Sequence, residues 1–276
     1  MTTEQLAGSR AGAAGTAGAA RSAGAAAAGK VPQVTLIFWV TKVLTTGMGE
    51  TTSDFLNKTY DPQIMVVLAG LVLAGVLWVQ FRAPRYSAWI YWAAVVMVSV
   101  FGTMCADVLH VALGIPYAVS TAFFAVALAA IFVLWFRVEG TLSIHSITTP
   151  RRELFYWLTV VTTFALGTAV GDLTATSLNL GYFSSGVLFA VLFAVPAVGY
   201  KLGLNGVTAF WFAYVATRPF GASFADWMGV SAKRGGLDWG TGPVSLVLLG
   251  IIAVLVGVLA VTKMDVAADG STADAR

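Results

Sequence analysis

Five carboxylates in this chain stand in a pattern that could do chemistry. Asp54, Asp107, Asp172 and Asp226 each close the same string: an aromatic residue and Trp, then Gly, then a small residue, then Asp. The strings begin at Phe38-Trp39, Tyr91-Trp92, Tyr156-Trp157 and Phe210-Trp211. They pass through Gly49/Ser53, Gly102/Ala106, Gly167/Gly171 and Gly221/Ala225 with one invariant spacing. One helical turn before each Asp come Glu50, Thr103, Thr168 and Ala222. Brought together, these side chains would form a cluster of hard oxygen donors of the kind that Mg²⁺, Mn²⁺ or Ca²⁺ accepts. Neighbouring carboxylates that cannot all ionise cheaply would also share protons. The competing reading is structural. A tandem repeat copies a helix-capping Asp as faithfully as a functional one.

Two basic residues fall inside the same strings, Lys42 in the first and Arg218 in the fourth. Lys42, Thr46, Glu50 and Asp54 lie on one stripe at four-residue steps, so Lys42 is expected either to balance the extra carboxylate of its helix or to snorkel toward the cytoplasmic interface. Arg218, two turns before Asp226 and followed by Pro219, is expected to face the carboxylates and limit their net charge. His110 and His145 read as an interfacial and a loop residue, and Cys105 as a small packing residue.

The elements that must hold these residues follow from composition. With 58% hydrophobic residues, 11% charged and a mean hydropathy of +0.82, the chain lies far from soluble globular usage, where about a quarter of residues are charged. Its apolar runs reach the roughly 20 residues that cross a bilayer as a helix. Eight helices are expected, at about 33–57, 63–82, 87–113, 115–137, 153–178, 182–201, 205–229 and 243–263, with Pro62, Pro116, Gly181 and Pro243 marking the turns within pairs. The fold class is therefore all-α: a polytopic membrane protein of four two-helix repeats, at about 31–82, 86–137, 151–201 and 205–263. The Ala- and Gly-rich residues 1–30 and the stretch 264–276 offer too little apolar surface to order and are expected as disordered tails.

Each repeat holds two spans, so the four Trp-bearing helices run the same way. Short loops at one end carry Arg82, Arg85, Arg137, Arg151, Arg152 and Lys201, against Lys58, Lys233 and Arg234 at the other. The positive-inside bias puts both termini in the cytoplasm and the aspartates toward the far side. The Gly/small pairs, four residues apart on one face, should let helices approach closely. The aromatic-Trp pairs, about 22 Å along the axis from the aspartates at 1.5 Å per residue, are expected as an interfacial belt, with the other tryptophans.

The region from Val31 to about Lys263 resembles a bacterial integral-membrane family defined by a tandem repeat of unknown function. Its four copies of two transmembrane helices each carry a characteristic Trp, here Trp39, Trp92, Trp157 and Trp211. Lys42-Val43-Leu44-Thr45-Thr46 with Gly49-Glu50-Thr51, and Phe164-Ala165-Leu166-Gly167-Thr168, strengthen the likeness. The resemblance implies architecture and a bacterial inner membrane; it supplies no activity.

From the residues, the leading expectation is a small-solute transporter or channel for a cation or protons. Its candidate site is Glu50, Asp54, Thr103, Asp107, Thr168, Asp172 and Asp226, with Lys42 and Arg218 balancing charge. No phosphate loop, metalloprotease motif or nucleophile-base set is present, so neither an enzyme nor a cofactor is expected, and nothing points to nucleic acid. The bilayer is the one certain partner. The other class of reading is a sensor or assembly module in which the same polar residues lock helices together.

Overall fold

The computed structural model describes residues 29–266, so the expected tails lie outside the described residues except for their inner ends. Eight long helices are present: α1 (Leu36–Thr59), α2 (Pro62–Arg82), α3 (Ala88–Asp107), α4 (Tyr117–Glu139), α5 (Pro150–Asp172), α6 (Tyr182–Lys201), α7 (Gly206–Gly229) and α8 (Thr241–Thr262). Their starts are written in the sequence. Thr35 accepts a hydrogen bond from the amide of Phe38, Asp61 caps α2 ahead of Pro62, Thr149 caps α5 ahead of Pro150, and Asn205 caps α7. Two helices do not stop where α geometry ends. Val108–Ala112 continues α3, and Leu173–Ser177 continues α5, as single π-helical segments.

The helices form two concentric rings. The Trp-bearing helices α1, α3, α5 and α7 make the inner one, each packed on the next, with α7 closing back onto α1. A single steric device sets this contact four times. A methyl group added at Gly49 would lie 1.8 Å from the Ser99 hydroxyl oxygen, and at Gly102 2.6 Å from the Phe164 Cβ. At Gly167 it would lie 2.1 Å from the Arg218 Cγ, and at Gly221 1.8 Å from the Thr46 hydroxyl oxygen. Every one of those partners sits eight residues before the Asp of the following repeat. The glycine opens the seat, and the next helix fills it. The expectation that small residues pack these helices together is therefore met, and its sense of rotation is fixed.

The outer ring is staggered. The outer helix of each repeat packs mainly on the inner helix of the next: α2 on α3, α4 on α5, α6 on α7, and α8 on α1. Outer helices are apolar nearly all round; α2 buries only Ala69, Leu73 and Gln80. Leu71 and Val261 are among many large apolar side chains left exposed for lipid. Six helices are long and apolar enough by composition alone to cross a membrane, α1 and α7 being the two that fall short. They carry Lys42, Glu50, Asp54 and Arg218, and their polar stripes face other helices. The chain is a multi-pass membrane protein whose two least apolar long helices both belong to the inner ring.

One end of the rings gathers the linkers. The Lys30 amide donates to the Ile147 carbonyl, the Gln33 amide to the Asp265 carbonyl, and the Tyr86 amide to the Gly29 carbonyl. The Lys30 ammonium meets the buried Glu153 carboxylate at 2.7 Å, and Gln80 donates to its other oxygen at 2.9 Å. The Tyr86 hydroxyl donates to Asp265, and burial followed by that hydrogen bond pushes its pKa far above the ordinary phenol value. Lys30 and Asp265, placed in the tails by composition, are thus buried parts of the bundle.

The aromatic-Trp pairs correct one expectation. Trp92, Trp157 and Trp211 are buried, with Phe38, Tyr91 and Tyr156 beside them at no more than 1% exposure. They stack on one another across the inner ring (Phe38 on Trp92 at 5.7 Å, Tyr91 on Trp157 at 5.7 Å, Tyr156 on Trp211 at 6.3 Å between centroids). The pairs sit on the inner helices, so their rings turn inward and form a plug. Trp135, also expected in the belt, is fully buried against Trp211, while Trp78, Trp89 and Trp239 do stay exposed as belt residues should.

The seat geometry makes a direct prediction. Gly221→Val should destabilise the protein by about 1–3 kcal/mol through overpacking, whereas Gly250→Val on the outer face of α8, where an added Cβ meets nothing, should not. Melting in detergent checks this; equal melting of the two variants contradicts the seat.

Candidate functional site

Four-residue steps along the inner helices stack their side chains in layers, and the layers define the site. Deepest is the aromatic plug. One turn nearer the aspartates come Lys42, Val95, Val160 and Tyr214, then Thr46, Ser99, Phe164 and Arg218. Glu50, Thr103, Thr168 and Ala222 follow, and the four aspartates finish the stack.

Arg218, fully buried, holds the middle together. Its Nη2 donates to Glu50 Oε2 at 2.6 Å, to Thr168 Oγ1 at 2.7 Å and to Thr103 Oγ1. Its Nη1 donates to the Thr46 carbonyl at 2.8 Å and its Nε to the Phe164 carbonyl at 3.3 Å. One guanidinium on α7 therefore touches α1, α3 and α5. The two threonines also donate to Glu50 Oε2, at 3.3 Å from Thr103 and 3.2 Å from Thr168. The network takes one side chain from each of the first three repeats, two backbone carbonyls from the first and third, and its cation from the fourth. The fourth repeat has Ala222 in the layer of Glu50, Thr103 and Thr168.

Above this layer lies a cavity of about 460 Å³. Asp54, Asp107, Asp172 and Asp226 all line it, Glu50 is in its wall, and Asn57, Lys58, Tyr117, Tyr182 and Arg234 complete the sides. The aspartates are not equivalent. Asp107 accepts from Ser53 at 2.9 Å and Asn57 at 3.2 Å, and Asp54 pairs with the exposed Lys58 at 2.5 Å. Among the described residues, the side chains of Asp172 and Asp226 receive no hydrogen bond from protein, so their oxygens face the cavity unpaired. Asp107 and Asp172 are also the last α-helical residues before the two π segments, where the helix widens locally. At the rim Arg234 donates to the Tyr182 hydroxyl.

All seven oxygen-bearing residues singled out in the sequence thus meet at one end of the inner ring, in two layers. Arg218 pairs with Glu50. Among the described residues Lys42 forms no ion pair with a carboxylate. Its ammonium lies 4.0 Å from the Phe164 ring centroid and 4.3 Å from that of Tyr214, buried and without a hydrogen-bond partner. The stripe suggested that Lys42 would balance the extra carboxylate of its helix, but the cation that pairs with Glu50 comes from α7.

Two larger cavities, about 520 and 780 Å³, open between outer helices and are lined mostly by apolar and aromatic residues such as Phe132, Phe189, Phe193 and Phe210, with no carboxylate. Among the described residues no three His, Cys, Asp or Glu side chains stand close enough to hold a metal ion together. His110 bridges Ile115 and Ser120 near the cavity and His145 is an exposed linker residue. Tyr117, Tyr182 and Arg234 were missed by the sequence reading because they lie outside the repeated string, on outer helices and a loop. Their polar tips beside apolar spans were the available signal.

A family model described as Repeat of Unknown Function (DUF347) matches residues 37–86, 90–141, 155–202 and 209–265. The chain belongs to this repeat family. Each DUF347 match starts at the aromatic-Trp pair or just before it, so the family's unit contains one inner and one outer helix. No curated protein and no solved structure matches the chain.

The Glu50–Arg218 pair is open to test by a double-mutant cycle. Glu50→Gln and Arg218→Met should each destabilise by about 3–5 kcal/mol, because each strands a buried charge or its acceptors, and the double variant should cost less than their sum. Unfolding monitored in detergent gives the three values; strict additivity would mean that the pair is not the lock.

Proposed function

We propose that the protein is a small-solute transporter or channel, carrying a cation or protons through the carboxylate cavity, and not an enzyme. The observation that carries this reading is the convergence of four repeat aspartates on one cavity whose deepest carboxylate is already tied to a buried arginine. Ionisable groups inside a membrane protein are costly, and they accumulate where charge is handled. Unpaired Asp172 and Asp226 offer oxygens to an entering cation, and Lys58 and Arg234 set the entrance. Below Glu50 the ring is shut by Phe164 and the aromatic plug, so the chain is open at one end and closed at the other, the arrangement that alternating access requires at each half of its cycle.

The location proposed is a bacterial inner membrane, with both termini cytoplasmic and the carboxylate cavity outside. The support is the run of Arg82, Arg85, Arg137, Arg151, Arg152 and Lys201 at the end where the termini meet. An alkaline phosphatase inserted after Arg234 should be active and one fused to the C-terminus inactive; the reverse pattern overturns the orientation.

One observation favours the second reading, a non-transporting sensor or assembly module: the Arg218 network satisfies itself with no ligand. Flux decides between them. Purified protein in liposomes should move protons or one of Na⁺, K⁺, Mg²⁺ and Mn²⁺. Replacing Asp54, Asp107, Asp172 and Asp226 together by Asn should cut that flux at least tenfold while the variant melts like the parent. Undiminished flux in the folded quadruple variant removes the carboxylates from the pathway. A parent inert toward every ion tried supports the module.

A further inference from the structure

We propose that the species carried is the proton, and that Lys42 is the group that bears it through the closed section of the ring. This rests on the transport reading and narrows it. The cavity lining ends at Glu50, whereas Lys42 lies two helical turns deeper, about 12 Å along the axis, at 1% exposure. A lysine kept for structure finds a carboxylate or carbonyl, or extends its tip to water. Lys42 does none of these: among the described residues its nitrogen has no hydrogen-bond partner, and it is flanked by two rings, Phe164 of the facing helix α5 and Tyr214 of α7. Arg218 shows the contrast. It lies on the same Phe164 ring, 5.1 Å from its centroid, with every nitrogen donating.

The surroundings select against a metal ion. Beyond Glu50 an ion would meet two cationic side chains and aromatic faces where it needs oxygen ligands. A proton needs only groups that can exchange it. From Lys42 onward these exist: the Tyr214 hydroxyl is buried and unpartnered, and the Tyr91 and Tyr156 hydroxyls are hydrogen-bonded at 2.5 Å in the plug. In the transfer, one N–H bond of the ammonium breaks, its electron pair stays on Nζ, and the Tyr214 hydroxyl oxygen takes that proton as it gives up its own toward the plug side. The amine then takes a proton from the Glu50 carboxyl, protonated from the cavity once Arg218 releases it, so that an O–H bond breaks as the N–H bond forms. One positive charge moves per cycle, and every bond broken is matched by one formed.

Lys and Arg separate the two roles of a buried cation, since Arg keeps its charge but does not give up a proton. Proton flux into liposomes, read by an entrapped pH-sensitive dye, should fall at least tenfold in Lys42→Arg and in Lys42→Gln. If Lys42→Arg fails to fold, Lys42→His and Lys42→Gln carry the test: the first can exchange protons and should keep measurable flux, the second should not. Parent-like proton flux in Lys42→Arg, or equal flux in the His and Gln variants, overturns the role of Lys42 and leaves the transport reading standing. Metal-cation flux without proton flux overturns the proton assignment. A parent that moves nothing overturns both readings together.

Discussion

A guanidinium buried inside a helical membrane protein must find an acceptor for each of its donors, and here that demand ties the inner ring together. Arg218 cannot lose its charge and is fully buried, so α1, α3 and α5 each present it oxygen acceptors: the Thr46 carbonyl and Glu50, Thr103, and Thr168 with the Phe164 carbonyl. To reach them its own helix must stand close to α5, which is why Gly167, with no side chain, lies against its Cγ. The packing of the ring and the electrostatics of its centre are the same contact described twice. A buried ion pair is poor evidence of net stability, but it does specify which helices belong together and in what register.

The repeat is fourfold in its glycines and aspartates and unequal everywhere between. The layer that holds Arg218 has Thr46, Ser99 and Phe164 in the other copies, and the layer that holds Lys42 has Val95, Val160 and Tyr214. Symmetry thus survives where backbones must approach and where the cavity is lined. It is broken along the centre, where four identical charges would repel and four identical rings would collide. The two middle copies share one further departure, the π segments after Asp107 and Asp172, which the first and last copies lack.

Much of this was legible in the sequence. The number of helices and the common direction of the four Trp-bearing ones follow from apolar run lengths and one invariant spacing, whereas spacing alone left open whether the four aspartates share one cavity. What spacing could not give is which way a residue faces when two directions are physically reasonable. Trp92 and Trp157 suit a headgroup belt by chemistry, but they stand on the face of their helices that meets the other inner helices, while Trp89 and Leu158 on the same helices stay exposed. Lys42 suits Glu50 by its place on the stripe, and the actual partner arrives from a helix well over a hundred residues away. The stagger of the outer helices was equally out of reach, since each repeat reads as a self-contained hairpin and only the three-dimensional contacts show that its members serve different neighbours.

That stagger bears on how the protein is made. Of the described helices, α1 is made before the others and is among the least apolar, and the outer helix that covers it, α8, is made after them. Its carboxylate waits for Arg218, six helices later. Early in synthesis the bilayer or the insertion machinery must therefore harbour a charged span whose partners do not yet exist. A chain cut short before the fourth repeat would not be three-quarters of a working molecule. It would be an open circle, with a bare glycine seat at one edge and an unclaimed acid at the other.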